Sequence, residues 1–332
     1  MTSPTPDRPA TLQDVAREAG VAVSTVSRAL TQPDRIGAAT RAHVQEVARR
    51  LGYRPNRIAR AVVSGRTQML AVLVADITNP IHFGLIRGAE ERARAADRTL
   101  VLGDTRGEPD LEADHLDRLG SVVDGIVLAA SRLPDADVVE LARRRPVVLH
   151  NREVPGLPSI VADFDDGVRQ IVAHLVALGH RRLAYLAGPA NSWSEGRRQD
   201  TLTAEEARHG VAVRRLGPFP PTLDGGPAAA DAGLASGATA LIAYNDLLAI
   251  GVLRRLAERG IPAPETVSVT GFDDVFGADF CHPPLTTVTA PTEEAGRALV
   301  DVLLRDQAGE PRQSVLPVHL RVRGSTGPPP TR

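Results

Sequence analysis

The 332-residue chain predicts a small all-α head followed by an α/β body of two doubly wound parallel-sheet lobes. Three observations carry this expectation. Residues 11–55 space their apolar side chains three and four apart, the period of a helix. From Met69 onward, apolar runs of strand length alternate with helical stretches, as in parallel sheets covered by helices on both faces. The charge is also uneven. The formal net charge is −1, yet residues 1–70 hold eleven arginines against five acids. A basic head on a mildly acidic body is suited to meet a polyanion.

The first ten residues are rich in Pro, Ser and Thr and are expected to be a disordered tip. "TLQD" then reads as a capping box, with Thr11 at the N-cap and Asp14 at the third helical position, and Leu12, Val15, Ala16 and Ala19 line one face. Gly20 ends that helix. Val21, Val26 and Leu30 form a second apolar stripe, and Val44, Val47, Ala48 and Leu51 a third. A helix, a tight turn at Gly20 and a second helix make the helix-turn-helix pattern, with Ala16 small where the helices cross and Val26 in the core. The second helix then turns Val23, Ser24, Ser27 and Arg28 outward. Valine methyls suit thymine, hydroxyls suit phosphates or base edges, and an arginine binds guanine bidentately. That face is expected to read double-stranded DNA. "RPNRIARAVVSGRTQ" follows as a short helix-compatible link, residues 56–67, and is no Gly/Ser spacer.

The body is expected over residues 68–326. "MLAVLVAD", "TLVLGDT", "DGIVLAAS", "RPVVLHNR", "HRRLAYLAG", "ATALIAYND" and "TVSVTGFDD" are buried-strand candidates. Helical stretches such as "HFGLIRGAEERARAADR", "GVRQIVAHLVALG" and "DLLAIGVLRRLAERG" lie between them. Crossovers near 155–165 and 288–295 divide the body into one lobe of about 68–162 and 292–321 and a second of about 163–291 and 322–326. Residues 327–332 read as a disordered tail. In open parallel sheets a ligand gathers beyond the carboxyl ends of the strands, where polar groups end "VAD", "LHNR", "AYND" and "GFDD".

Composition narrows the chemistry. All 39 basic residues are arginine, so P-loop, Schiff-base and pyridoxal chemistry lack their lysine. The nine histidines show no tight metal spacing, and neither GxSxG nor a GxGxxG after a strand occurs. No enzyme activity, cofactor or metal is expected. One cysteine, Cys281, makes no internal disulfide and fits a reducing compartment. No apolar run is long enough to span a bilayer, and no export signal precedes the head, so a cytoplasmic, nucleoid-associated protein is expected.

"TLQDVAREAGVAVSTVSRAL", "RPNRIARAV", "DITNP", "VDGIVLAAS", "LGHRRLAYLAGP", "AYNDLLAIG", "VSVTGFDD", "PPLTTV" and "RGST" occur here in order. Together they resemble the lactose-repressor (LacI/GalR) family of bacterial transcription regulators, from Thr11 to about Thr326. The resemblance implies a homodimer that binds a near-palindromic operator and is switched by a small molecule, a sugar above all, in the cleft of a body of periplasmic-binding-protein type. It implies DNA contacts from Thr11, Val23, Ser24, Thr25, Ser27, Arg28 and Thr31. It also implies a hinge helix in the minor groove, with Asn56, Arg57, Ala59, Arg60 and Val62 on the DNA. For the cleft it implies Asn151, Arg198, Asn245 and Asp273, with Arg197 an alternative to Arg198. Asp76 at a strand end, and the aromatics Trp193, which could stack on a sugar, and Phe83, a wall candidate, are expected there from the residues themselves. Phe219 and Phe276 are further wall candidates. The chain departs from the family pattern at several positions. Val62 replaces a leucine wedge, Ala22 a capping serine, Thr31 an asparagine, Asn151 an aspartate, Thr201 a glycine and Ala290 a glutamine. The alternative is a solute-binding protein with no DNA role, which fits the body but leaves residues 11–66 unexplained.

Overall fold

The computed structural model describes residues 10–31, 35–53, 66–305 and 313–331, with the Thr31 side chain outside the described set. The chain divides into two units, residues 1–67 and 68–332.

The first unit contains α1 (Leu12–Ala19), α2 (Val23–Thr31) and α3 (Ala38–Arg50). Thr11 and Asp14 close a reciprocal capping box. The Asp14 amide donates to Thr11 Oγ1 at 3.3 Å, and the Thr11 amide donates to Asp14 Oδ2 at 2.9 Å. Gly20 ends α1 at φ 65°, a left-handed backbone that a side chain rarely adopts, and this turns the chain into α2. Val15, Ala16, Ala19, Val26, Ala29, Val44, Val47 and Ala48 fill the core between the three helices. The small Ala16 and Ala19 let α1 and α2 approach closely.

The second unit holds two six-stranded sheets. The first lobe contributes β1 (Met69–Val74), α4 (Ile81–Ala95), β2 (Thr99–Asp104), α5 (Pro109–Leu119), β3 (Gly125–Ala129), α6 (Asp135–Arg144), β4 (Val147–His150) and β5 (Ser159–Ala162). The second contributes α7 (Phe164–Ala177), β6 (Arg182–Leu186), α8 (Trp193–His209), β7 (Ala212–Leu216), α9 (Gly226–Ala235), β8 (Ala240–Ala243), α10 (Asp246–Glu258), β9 (Ser268–Asp273) and β10 (Thr286–Thr289). α11 (Thr292–Leu304) and β11 (Gln313–Leu316) return to the first lobe, and β12 (His319–Arg321) joins the second. The strand orders are β2-β1-β3-β4-β5-β11 and β7-β6-β8-β9-β10-β12. Every pairing is parallel except β10 with β12.

Helices cover both faces of each sheet, which is why β1, β3, β4 and β8 are nearly uninterrupted apolar runs. In the first lobe α4 and α11 bury Leu85, Ala89, Leu299 and Val300 on one face, while Leu116 of α5 and Val138 of α6 pack on the other. α4 and α11 come so close that a Cβ on Gly88 would lie 2.0 Å from the Glu293 carbonyl oxygen, and one on Gly296 2.1 Å from that of Leu85. In the second lobe α7 and α8 cover one face and α9 and α10 the other.

Two details differ from the sequence expectation. β12 pairs with β10, so the last crossing falls between Leu316 and His319 and not after residue 321. β5 and β10 flank the earlier crossings, and two residues suffice to pass from the strand beside one to the strand beside the other. The tail from Gly327 is also held in place. The Gly327 amide donates to Ser268 Oγ at 3.0 Å, and its carbonyl accepts from His180 Nε2 at 2.9 Å. The disordered tail expected there starts in an anchored segment. The unpredicted strands are short or marginal: β7, "AVRRL", is an edge strand that exposes its arginines, and β5 and β10 span four residues each.

Candidate functional site

In the head, α2 sorts its residues by helical phase. Val26 and Ala29 are buried, Ser24 and Arg28 are exposed, Thr25 and Ser27 are half-buried, and Val23 keeps 43% of its surface exposed. Val23, Ser24, Ser27 and Arg28 therefore share one face, as three- and four-residue spacing requires. Arg28 makes no ion pair with any described residue. Arg17, Arg49 and Arg50, by contrast, pair with Asp14, Glu46 and Glu18. Thr11 uses its hydroxyl in the capping box, and also donates to Asp14 Oδ2 at 2.6 Å. The Ala22 carbonyl accepts from the amides of Thr25 and Val26, while its methyl supplies no cap. Asn56, Arg57, Ala59, Arg60 and Val62 lie outside the described residues, as does the Thr31 side chain.

In the body, a cleft of about 560 Å³ opens between the lobes, lined by loops that leave the carboxyl ends of strands in both sheets. Five of the seven expected residues line it: Asp76 after β1, Asn151 after β4, Arg198 in α8, Asn245 before α10 and Asp273 at the end of β9. The shared strand order puts both topological switch points, β1/β3 and β6/β8, on this cleft.

Arg198 is only 3% exposed and sits on the inward face of α8 with Ser194 and Leu202. The Phe272, Phe164 and Tyr244 rings surround its guanidinium at 4.2, 4.8 and 4.8 Å. Nη1 donates to the Tyr244 carbonyl at 2.8 Å, while the buried Nε has no partner. Arg197, one residue earlier, faces outward and pairs with Asp165, which decides between the two arginines.

Burial raises the Asp273 carboxyl from 3.8 to about 7, opposed by the Arg198 charge. Its backbone is left-handed at φ 109°. Arg106, Ala130 and Asn151 are left-handed as well, at φ 52°, 55° and 52°, so four of the seven described non-glycine residues with positive φ line this one cleft. Side-chain-bearing residues held this way cluster at binding sites, where strain fixes loop geometry. Two buried histidines, His82 and His150, also line the wall, and burial lowers both to about 4. Neutral His150 donates Nδ1–H to the Ile160 carbonyl at 3.0 Å, which leaves Nε2 an acceptor.

Asn245 lines the cleft with both ends of its amide engaged. Oδ1 accepts from the Leu248 amide at 3.0 Å as the cap of α10, and Nδ2 donates to the Pro221 carbonyl at 2.9 Å. Asn151 Oδ1 accepts from the Ala162 amide at 3.0 Å, and Asp76 Oδ1 from the Thr78 amide at 2.8 Å.

The structure corrects two expected positions. Phe83 does not line the cleft; it is 51% exposed on the outer face of α4, and its neighbour His82 turns inward instead. Trp193 lies outside the main cleft, in a neighbouring hollow with Arg197, its ring edge-on to Phe164. Both shifts follow from helical phase, since one residue turns a side chain by about 100°. Of the other wall candidates, Phe219 packs against the second-lobe core and Phe276 is exposed beside Phe280. Sequence reasoning missed His82, Arg132, Ser194 and Tyr244. Ser194 had a signal: it lies four residues before Arg198, which lies four before the core residue Leu202.

Residues 11–56 match the family described as bacterial regulatory proteins, lacI family, and residues 172–326 match the periplasmic binding protein-like domain. The transcriptional repressor CytR of Escherichia coli strain K12 is 33% identical over 330 residues, covering 96% of each chain. A crystal structure of the Lac repressor dimer bound to operator and the anti-inducer ONPF aligns with TM-score 0.85 at 28% identity, over 96% of this chain and all of that one. A complex of the regulator CelR with cellobiose aligns with TM-score 0.70 at 30% identity, again over 96% of this chain and all of that one. With a recognition helix in the head, a two-lobed cleft in the body and this identity over nearly its whole length, the chain belongs to the lacI family of bacterial regulatory proteins.

Proposed function

We propose that the chain is a cytoplasmic transcriptional repressor that binds a near-palindromic operator as a homodimer and is switched by a sugar-like effector in the cleft. The observation that carries this reading is the pairing of two unlike sites in one chain. One is a helix face with an arginine that makes no ion pair with any described residue; the other is a polar cleft lined by a buried guanidinium, that of Arg198. α2 would enter the major groove, with Arg28 on a guanine edge, Val23 on thymine methyls and the hydroxyls of Ser24, Thr25 and Ser27 on base edges or phosphates. A single small module has limited contact area, so two heads on two half-sites supply the affinity. Thr11, Thr31 and the link residues Asn56, Arg57, Ala59, Arg60 and Val62 would add backbone and minor-groove contacts.

In the cleft, Asp273 and Asp76 would accept hydroxyl protons, and Arg198, Asn151 and Asn245 would complete a polyol's hydrogen bonds. Ligand binding between the lobes would favour one lobe arrangement, and the dimer would carry that choice to the two heads. The small molecule is bound and released unchanged. CelR's cellobiose and the Lac repressor's operator support both halves of the reading.

Fluorescence anisotropy of a duplex from the gene's own upstream region, at one salt concentration and across a sugar panel, tests it. Salt is held constant because phosphate contacts dominate affinity. Release or tightening of the complex by one compound is the expected result. Equal duplex binding by the full chain and by a truncation beginning at Thr67 would overturn the DNA reading and leave the solute-binding alternative.

A further inference from the structure

Most charges lining the cleft have an evident counterpart. Arg198 faces Asp273, whose carboxyl it stabilises. Asp76 accepts from the Thr78 amide of its own loop, and Asp104 from the Arg106 amide of its own loop and the Ile77 amide of the loop after β1. Arg106, on the loop after β2, and Arg132, on the loop after β3, differ: both line the cleft and neither guanidinium makes a hydrogen bond or ion pair with any described residue, but Arg106 is exposed to water while Arg132 is half-buried. The nearby acids are committed elsewhere. Asp135 pairs with the buried Arg152 at 2.5 Å, and Glu112 accepts from the Arg132 backbone amide, not from its side chain, at 2.9 Å.

Across the cleft stands Tyr244, whose hydroxyl lies 2.9 Å from Ser192 Oγ and 3.3 Å from Ser194 Oγ. Burial would raise this phenol, yet the charges of Arg198 from its own lobe and Arg132 from the other, with the two serine hydroxyls, bring it below its ordinary value. Arg132 and Arg198, from opposite lobes, thus line one cleft together with Tyr244. A neutral polyol entering the cleft would strip water from Arg132 and return no charge, and a half-buried cation left unmatched opposes closure.

We infer that the effector is a polyol bearing one oxyanion group, a phosphate or a carboxylate, which Arg132 receives where the two lobes meet over Tyr244. This rests on the effector reading of the cleft. Arg132 would act as a specificity residue that rejects neutral sugars, while the hydroxyl contacts stay with Asp273 and Arg198. A planar guanidinium suits either oxyanion, since both accept two parallel N–H bonds.

Calorimetric titration of the full chain with matched probes separates the cases: glucose, glucose 6-phosphate and glucuronate, then ribose and ribose 5-phosphate. The expected result is an advantage of about tenfold or more for one oxyanion member over its neutral partner. Arg132→Gln should erase that advantage, weakening the oxyanion member and tightening the neutral sugar, whose closure no longer strands a cation. Arg132→Lys should restore part of it, which a merely structural role would not. A phosphate-only or carboxylate-only advantage identifies the group. If a neutral sugar binds as tightly as its charged partner and releases the duplex, the oxyanion inference falls and the regulator reading stands. If no member of the panel binds, both fall.

Discussion

The head and the body recognise their partners by opposite means. On α2 the side chains proposed to read DNA are those the fold does not need: Ser24 and Arg28 point to solvent while Val26 and Ala29 hold the bundle together. In the cleft, function and fold share the same side chains. Arg198 is clasped by three aromatic rings, Asn245 caps α10, and Asp273 closes β9 with a left-handed backbone. A surface site can therefore be changed without touching stability, whereas a buried site cannot. The difference is one of desolvation. Groups buried before the ligand arrives must already be largely satisfied by the fold.

The largest test of this contrast is Arg198→Ala. Removing a buried, hydrogen-bonded cation should abolish the effector response and destabilise the body by roughly 2–5 kcal/mol, by lost packing among the rings of Phe164, Tyr244 and Phe272. Thermal melting with and without effector measures both, and an unchanged melting temperature would break the contrast at its centre. Arg28→Ala should do the reverse. Melting stays the same, while selection from a randomised operator library loses preference at one position of each half-site, worth about 1–3 kcal/mol.

Asp273 sharpens the contrast through pH. Its folded-state value of about 7 lies above the ordinary 3.8, so the folded chain holds that proton more tightly than the unfolded chain does. The ligand-free fold should therefore lose stability as pH rises from about 4 to 7, with no further loss above. Asp273→Asn should flatten that decline and raise the melting temperature near pH 8 by roughly 10 °C. Effector affinity of the unaltered chain should climb over the same range as the accepting carboxylate forms. A melting temperature that is flat with pH in the unaltered chain would count against the assignment. The smallest expected effect is Thr11→Ala, which removes one half of the capping box and should lower head stability by about 1 kcal/mol, read by denaturant melting of the head's helical signal.

The head was legible because a helix writes its faces into the sequence at a fixed period. "TLQD" gave the start of α1, Gly20 its end, and Val26 the inward phase from which Arg28 follows as outward. The strand runs were legible for a similar reason, since a sheet buried on both faces needs unbroken apolar stretches. Asp76, Asn151, Asn245 and Asp273 were legible as polar residues at strand ends. Phe83 and Trp193 were misplaced because helical phase was set aside for residue type: an aromatic was expected to face a sugar, while the spacing from Leu85 and Leu202 put His82 and Ser194 inside.

By itself the sequence determined the order of elements, the basic recognition face and the class of fold. These depend on local periodicity, on capping and turn residues, and on composition, which act over a few neighbours. The tertiary structure alone decided that Arg132 from one lobe and Tyr244 from the other look across one cleft, that Arg198 and not Arg197 is enclosed, and that β11 and β12 belong to different sheets. Residues more than a hundred positions apart meet there because two sheets of like order are joined at their crossings. No local pattern encodes which side chains such a junction brings together or leaves without a partner.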